Sequence, residues 1–470
     1  MFSPVHRAFA ALHDYRGTFE QLVRLGAPVS ASSVTRSLMG ATDAAVAAAI
    51  SPSAVAVVTI ADLYRQLVGR FGGGIGGGAI ALTSQDTGAG ATANRDEAVS
   101  QATLLAVVIA LPVAVASVVF GEPLISVVGG GNLDSAAVSD GAAYLAVTLV
   151  VAPITLPKAV FAQAFSAIGD TKTPFYVGAA GDVLNVALSL ALGFGFAPLG
   201  VPKLGVVGLG IATAVASVLS TFAFLVLLIR NSPYSLVTPT DPTIGKQVLR
   251  VGLPQAASGF VTSVAVFPFS RILVGFGTNV YAGYQVAWRL YGLTVGVITP
   301  GLAVATKILV GQAVGDRAYD EARTTVRAAL VASTVVAGTV GLVIALLAEP
   351  LAGLLFADQN ANQWTGTFGR LLGAVAVLGV GNNVVASALQ GASETRVDLL
   401  SRIAGMFGGM VGVTWLLGVY YDWGVTGAYV GIVACYVLFV AVTAAGYLQT
   451  DWESRAEEML TERGSVSAES

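Results

Sequence analysis

The sequence predicts an all-α polytopic membrane protein: twelve transmembrane helices in two six-helix lobes, a 6+6 repeat. Three observations carry that prediction. Of the 470 residues, 55% are hydrophobic and only 11% are charged, where a soluble domain carries roughly a quarter charged residues. Twelve spans of about 20 apolar residues each nearly exhaust that apolar supply. The apolar stretches are also far longer than the roughly 10-residue strands of a membrane barrel. A soluble enzyme, a disordered chain and a nucleic-acid binder are therefore excluded, and membrane lipids are the surroundings to expect.

In chain order, residues 1–21 form a polar N-terminal segment with no apolar run and cleavage site, so no removable signal peptide is expected. The first lobe is 22–229, with apolar stretches near 22–49, 55–82, 99–127, 138–165, 174–197 and 204–229. A polar linker at 230–247 contains Pro233, Pro239 and Pro242. The second lobe, 248–448, has stretches near 248–275, 281–311, 322–347, 364–390, 397–419 and 425–448, and an acidic tail follows at 449–470. Several stretches exceed 25 residues, so tilt or kinks are expected.

The halves repeat. LVRLGAP at 22–28 answers VLRVGLP at 248–254, matching Gly26 to Gly252 and Pro28 to Pro254. SQDTGAG at 84–90 answers GQAVGDR at 311–317, matching Gln85 to Gln312 and Gly88 to Gly315. AIGDTKT at 167–173 answers LQGASETR at 389–396, and LGVVG at 204–208 answers WGVTG at 423–427. Six spans per half give both halves one topology, related by an axis along the membrane normal. Fifteen Lys and Arg residues fall in the segments holding both termini and the linker, against only Lys203 on the other side. The positive-inside bias therefore places both termini in the cytoplasm, with the tail as a solvated cytoplasmic end.

Chemistry inside the membrane is restricted. The two histidines, His6 and His13, precede the first apolar stretch, and the single cysteine, Cys435, lies in the last. His-based metal sites and His-assisted nucleophiles within the spans are thus excluded, and Cys435 reads as a small buried hydrophobe. Intramembrane ionisable residues are functional candidates by default. Among acids these are Asp43, Asp62 and Asp182, all in the first half, and among bases Arg36, Arg65, Arg70, Lys158, Arg271, Arg289, Lys307 and Arg370. Lys158, Lys307 and Arg370 are expected near span ends, snorkelling.

Asp43 sits among small residues with no base one turn away. It reads as a carboxylate that exchanges a proton, a sodium ion or an organic cation, the alternative being a pair with an arginine of another helix. Asp182 and Asn185 are three apart on one helix face, and Ser189 continues the stripe. Thr213 and Tyr144 are candidate additional oxygens. Such a set suits a buried proton or a hard cation, so Na⁺ at Asp43, Asp182 and Asn185 is a candidate metal. Asp62 and Arg65, also three apart, are expected to pair within their helix. Arg271 and Arg289 are candidates to face or brace a cavity. GGGIGGG at 72–78 matches a dinucleotide pattern formally, but it lies mid-span with no strand before it, so close helix packing is the expectation. No GxxxxGK[ST] occurs, so no ATPase is expected.

Together these motifs resemble the multidrug and toxic compound extrusion (MATE) family over about residues 20–448. The marks are LGAP and GLP opening the halves, TDAAVA in span one, SQDTGAG and VGQAVGD after spans two and eight, AIGDTKTPF before span five and LGVVGLGIATAVAS in span six. The resemblance implies two lobes around a central cavity. It also implies antiport, in which H⁺ or Na⁺ enters while an organic, often cationic, compound leaves. Asp43 and Asn185 match the first-span acid and fifth-span asparagine of the family's DinF-like branch. Where that branch often carries an acid four residues after the asparagine, this chain has Ser189, and Asp182 one turn earlier is the proposed substitute.

On this reading there is no enzyme activity, no cofactor beyond the coupling ion, and no nucleic-acid partner. The protein is a monomer in a prokaryotic plasma membrane, and its partners are lipids and small organic substrates. The alternative is a lipid-linked precursor flippase, which the in-span arginines favour. The mates of Asp43 and Asp182 in the second half are Phe269 and Ala404, so coupling is expected in the first lobe alone.

Overall fold

The structure, a computed structural model, describes residues 15–130, 133–196, 198, 200, 202–355 and 359–465. His6 and His13 lie outside them. The described chain is helical: α1 Arg16–Ile50, α2 Pro52–Gly88, α3 Thr92–Val119, α4 Gly121–Gly129, α5 Ser135–Val150, α6 Pro157–Ala167, α7 Lys172–Phe194 and α8 Gly205–Asn231 in the first half. The second half has α9 Pro242–Phe276, α10 Thr278–Gly315, α11 Tyr319–Leu355, α12 Gln359–Gly391, α13 Arg396–Tyr420 (wound with wide turns from Ile403), α14 Val425–Gln449 and α15 Trp452–Glu462. Among the described residues nine helices are long and apolar enough to cross a membrane, and α5 with α6 forms a tenth span bent by 41°. Pro153 and Pro157, which cannot donate to a helical ladder, both follow the bend. The two remaining spans are α1 and α2, which are diluted by Arg24, Arg36 and Asp43 and by Asp62, Arg65 and Arg70.

The chain divides into two compact units. Among the described residues, one contains those of 31–83 and 92–256, the other those of 15–30, 84–91 and 257–465.

In the first of these, α2 packs on the start of α9 through glycines. A methyl group added at Gly74 would lie 2.6 Å from Ala256 Cβ and from the Gly252 oxygen, and one at Gly78 would lie 2.5 Å from the Val248 oxygen. Gly77 accommodates the Gln255 amide. GGGIGGG is therefore a packing face, as its mid-span position implied. The linker is pinned: Arg95 Nη2 donates to the Pro233 carbonyl at 2.7 Å, and Glu97 accepts from the amides of Thr240 and Asp241 at 2.7 and 2.9 Å.

In the second unit, Gly26 of α1 packs on Gly301 of α10, where an added methyl would meet the Gly301 oxygen at 2.9 Å. Gly88 lies against the Gln312 carbonyl, and Gly315 against that of Gln85. These are reciprocal contacts between residues that the sequence repeat equates. A cleft of about 210 Å³ is lined by α1, α10, α11 and α12. Its only hydroxyls, Ser30 and Ser333, donate to the Ile298 and Leu330 carbonyls, so it offers no ionisable group.

The tail corrects one expectation. It is a docked helix, not a solvated end. In α15, Met459 is buried, and Trp452, Ala456 and Leu460 are buried against Val310, Val314, Ala322, Val326 and Leu389. Asp451 caps the helix by accepting from Ser454, and these bonds hold its carboxyl below the usual carboxylate range. Arg317 pairs with Glu457 at 2.9 Å, Arg323 with Glu453 at 2.7 Å, and Arg455 with Glu394. Arg463, counted from sequence as an exposed base, is fully buried against Asp86. The stripe Trp452, Ala456, Met459, Leu460 and Arg463 falls on one helix face, which charge counting alone overlooks.

Candidate functional site

The polar chemistry of the 31–83 and 92–256 unit is collected into one chain of contacts. On α7, Asn185 and Ser189 are one turn apart and face α8, which approaches closely because Gly193 and Gly208 lack side chains: an added methyl at Gly208 would lie 2.5 Å from the Leu192 oxygen. Asn185 Nδ2 donates to Thr213 Oγ1 of α8 at 3.0 Å. Gly210, three residues before Thr213, lets α5 bring Tyr144 against α8. The Tyr144 hydroxyl donates to Asp62 Oδ1 at 3.4 Å, and Asp62 accepts from Arg65 Nε at 2.9 Å. At the other end, Ser189 Oγ lies 3.2 Å from Asp43 Oδ1 and 3.4 Å from Asn185 Oδ1. The sequence runs Arg65, Asp62, Tyr144 and, across the α5–α8 contact, Thr213, Asn185, Ser189, Asp43. Its central members Tyr144, Thr213, Asn185 and Ser189 are buried, and Asp43 and Asp62 are half-buried.

The Ser189 hydroxyl faces two acceptors with one hydrogen. While Asp43 is ionised, only one of the two contacts can be a true hydrogen bond. A proton on Asp43 lets the carboxyl donate to Ser189, which then donates to Asn185 Oδ1, and the chain is satisfied from end to end. A hard cation held by the same oxygens resolves the conflict in the other way. Among the described residues no group of three or more His, Cys, Asp or Glu is placed to hold a metal.

Asp43 thus meets a serine, not an arginine of another helix. Asp62 and Arg65 form the intrahelical pair that their spacing implied. Asp182 is half-buried and makes no hydrogen bond with Asn185 or Ser189 among the described residues, although its charge acts on Asp43. Arg271 and Arg289 are exposed and belong to neither the chain nor a described ion pair.

Three sequence expectations need correction. Lys158 is not at a span end: it lies within the second arm of the broken span, nine residues before the end of α6. Lys307 is 9% exposed, with Asp398 as the charge acting on it. Arg370, by contrast, is exposed and pairs with Glu349 at 2.5 Å, which does not overturn its expected place. The in-span acids are also not confined to the first half. Asp398, buried in α13, accepts from Arg402 Nε at 3.4 Å, and Arg402 donates to Asn383 Oδ1 at 2.8 Å and stacks over the Phe439 ring. The signal for this group was the i, i+4 spacing of Asp398 and Arg402, hidden by its place at a span boundary.

This architecture, twelve helices in two six-helix repeats with an in-span carboxylate on the first, is that of a polytopic membrane transporter fold. The MatE family model matches the chain twice, at residues 28–191 and 254–415, and the chain belongs to that family. It is 26% identical over 328 residues to a probable multidrug resistance protein NorM of Thermotoga maritima, covering 69% of this chain and 70% of that one. It is likewise 26% identical over 429 residues to a probable NorM of Bradyrhizobium diazoefficiens, covering 88% and 89%. A crystal structure of MATE in complex with MaD3S superposes with TM-score 0.83 at 22% identity, covering 94% of this chain and 97% of that one. The protein is therefore a multi-pass membrane protein.

Proposed function

We propose that the chain is a secondary active efflux antiporter, exporting organic compounds, cations among them, in exchange for H⁺ or Na⁺. It would act as a monomer in a prokaryotic plasma membrane with both termini cytoplasmic. Family membership and the multidrug resistance relatives support the transport reading. The observation that carries the coupling is Ser189 set between the Asp43 and Asn185 oxygens. A proton or a cation at Asp43 changes how many of those oxygens are satisfied, which is the differential interaction a transporter needs to shift its conformational populations. Asp43 binds the ion, Ser189 and Asn185 complete its oxygen set, Thr213 holds Asn185, and Tyr144 holds the Asp62–Arg65 pair.

The test uses purified protein in liposomes loaded with a fluorescent organic cation, under an imposed pH gradient or an imposed Na⁺ gradient. Efflux driven by one gradient and lost in Asp43→Asn supports the reading. Equal efflux without either gradient overturns it.

A further inference from the structure

One short segment of the first half does not stay with it. Residues 31–83 and 92–256 form one unit, but 84–91, the last turn of α2 and the turn into α3, are built into the unit of the second half. Two kinds of contact hold the segment there. The first is close backbone packing: Gly88 lies against the Gln312 carbonyl, Gly315 against that of Gln85, and Gly311 against the Ser84 hydroxyl. The second is the tail. The Arg463 guanidinium reaches Asp86 Oδ1 at 2.8 Å and Gln85 Oε1 at 3.0 Å, and the Ser465 hydroxyl donates to the same Asp86 oxygen at 2.7 Å. Gln85 donates in turn to the Gly391 carbonyl at 2.7 Å and to Ser393 Oγ at 3.0 Å.

The tail helix carrying Arg463 is itself fastened to the second half. Ala456 and Leu460 share a buried cluster with Val314 and Val326, and Glu453 and Glu457 pair with Arg323 and Arg317. It is therefore a strap, seated on α10 and α11 and closing over the end of α2. The acid it grips is not a shared feature of the two halves. The repeat that equates Gln85 with Gln312 sets Asp86 opposite Ala313, so the carboxylate is added to the helix end and the tail supplies its match. Both side chains of the pair are fully buried. Such a pair has two low-cost arrangements, buried together or parted with both charges in water, because burial of either one alone is strongly unfavourable. The contact is a switch and not a graded spring.

We propose that α15 is a cytoplasmic latch: Arg463 and Ser465 hold the 84–91 segment of the first half against the second, and inward opening requires their release. Its place in transport rests on the antiport reading with cytoplasmic termini, since alternating access must part the halves on that side. The latch biases the resting protein against inward opening, and ion or substrate binding has to outweigh that bias.

The test places spin labels at Ala91→Cys and Asp316→Cys in the full chain carrying Cys435→Ser, in nanodiscs, with no gradient and no substrate. Double electron–electron resonance reads their separation. With the tail unsubstituted, one narrow short distance is expected. In Arg463→Met/Asp86→Leu, which strands no charge, a longer distance gains about tenfold or more on the short one. Ala456→Glu, which drives the apolar face of α15 from its seat, gives the same shift. Arg463→Lys keeps the charge without the fork and falls between. Phe368→Ala, a cavity in the fully buried core of the same unit, leaves the distances unchanged. If Ala456→Glu fails to fold, Arg463→Met/Asp86→Leu decides alone. Unchanged distances in that double variant overturn the latch, and so does an equal shift in Phe368→Ala, which would mark general loosening. Failure of the unsubstituted protein to drive efflux on either gradient, with the distance shift present, fails the antiport reading alone. Gradient-driven efflux with no shift fails the latch alone.

Discussion

Arg463 Nε donates to Asp86 Oδ1 at 2.8 Å, with both side chains fully buried and 377 residues between them in the chain. Arg463 Nη2 also reaches Gln85 Oε1 at 3.0 Å, while Gln85 Nε2 donates to the Gly391 carbonyl at 2.7 Å. The tail thus ties the last turn of α2 to the turn after α12.

Arg463→Met should lower stability by about 3–5 kcal/mol, because it strands a buried carboxylate. The double variant Arg463→Met/Asp86→Leu should lose much less. Thermal unfolding in nanodiscs, read as a double-mutant cycle, checks both, and equal losses in the single and double variants contradict the pairing.

The glycine face of α2 makes a position-specific prediction. Gly74 is closed in by Ala256 and Gly252, whereas nothing lies within 4 Å of a methyl group at neighbouring Gly73. Gly73→Ala should be neutral or stabilising by up to about 1 kcal/mol through helix propensity. Gly74→Ala should destabilise by about 1–3 kcal/mol through overpacking. Chemical denaturation of the two variants side by side gives the comparison, and a reversed order would refute this packing.

Asp43→Asn should abolish coupled efflux while the protein still reaches the membrane folded, since an isolated carboxylate gains nothing from burial. Ser189→Ala should slow efflux about tenfold, the scale of one charge-assisted hydrogen bond. Initial rates at equal membrane abundance test this, and wild-type rates in the Asn variant under a saturating ion gradient would contradict it.

Asn185 and Asp182 should separate in combination with Asp43. Asn185 belongs to the hydrogen-bonded chain, so Asp43→Asn and Asn185→Ala should be strongly non-additive, each alone costing nearly as much as both. Asp182 makes no hydrogen bond to that chain, and its substitution should multiply with that of Asp43. The double variants measured for efflux rate distinguish the two patterns.

Much of this was legible in the sequence. Composition and stretch length determined the number of spans, because partition into hydrocarbon depends on the apolar count of a segment and little else. Helical spacing determined which neighbours share a face, and Asp62 with Arg65 and Asn185 with Ser189 follow from it directly. The repeat determined that Gln85 and Gln312 are equivalent. Hydropathy, however, registers only the choice between water and lipid, not which side chain meets which. Tertiary structure alone decided that Asp43 meets Ser189 instead of an arginine, and that an acidic tail buries Trp452 and Arg463. Each of these depends on helices distant in sequence approaching to contact distance. A buried charge such as Arg463 or Asp398 is tolerable only where a partner arrives from elsewhere, and no local pattern of apolar and polar residues records that arrival.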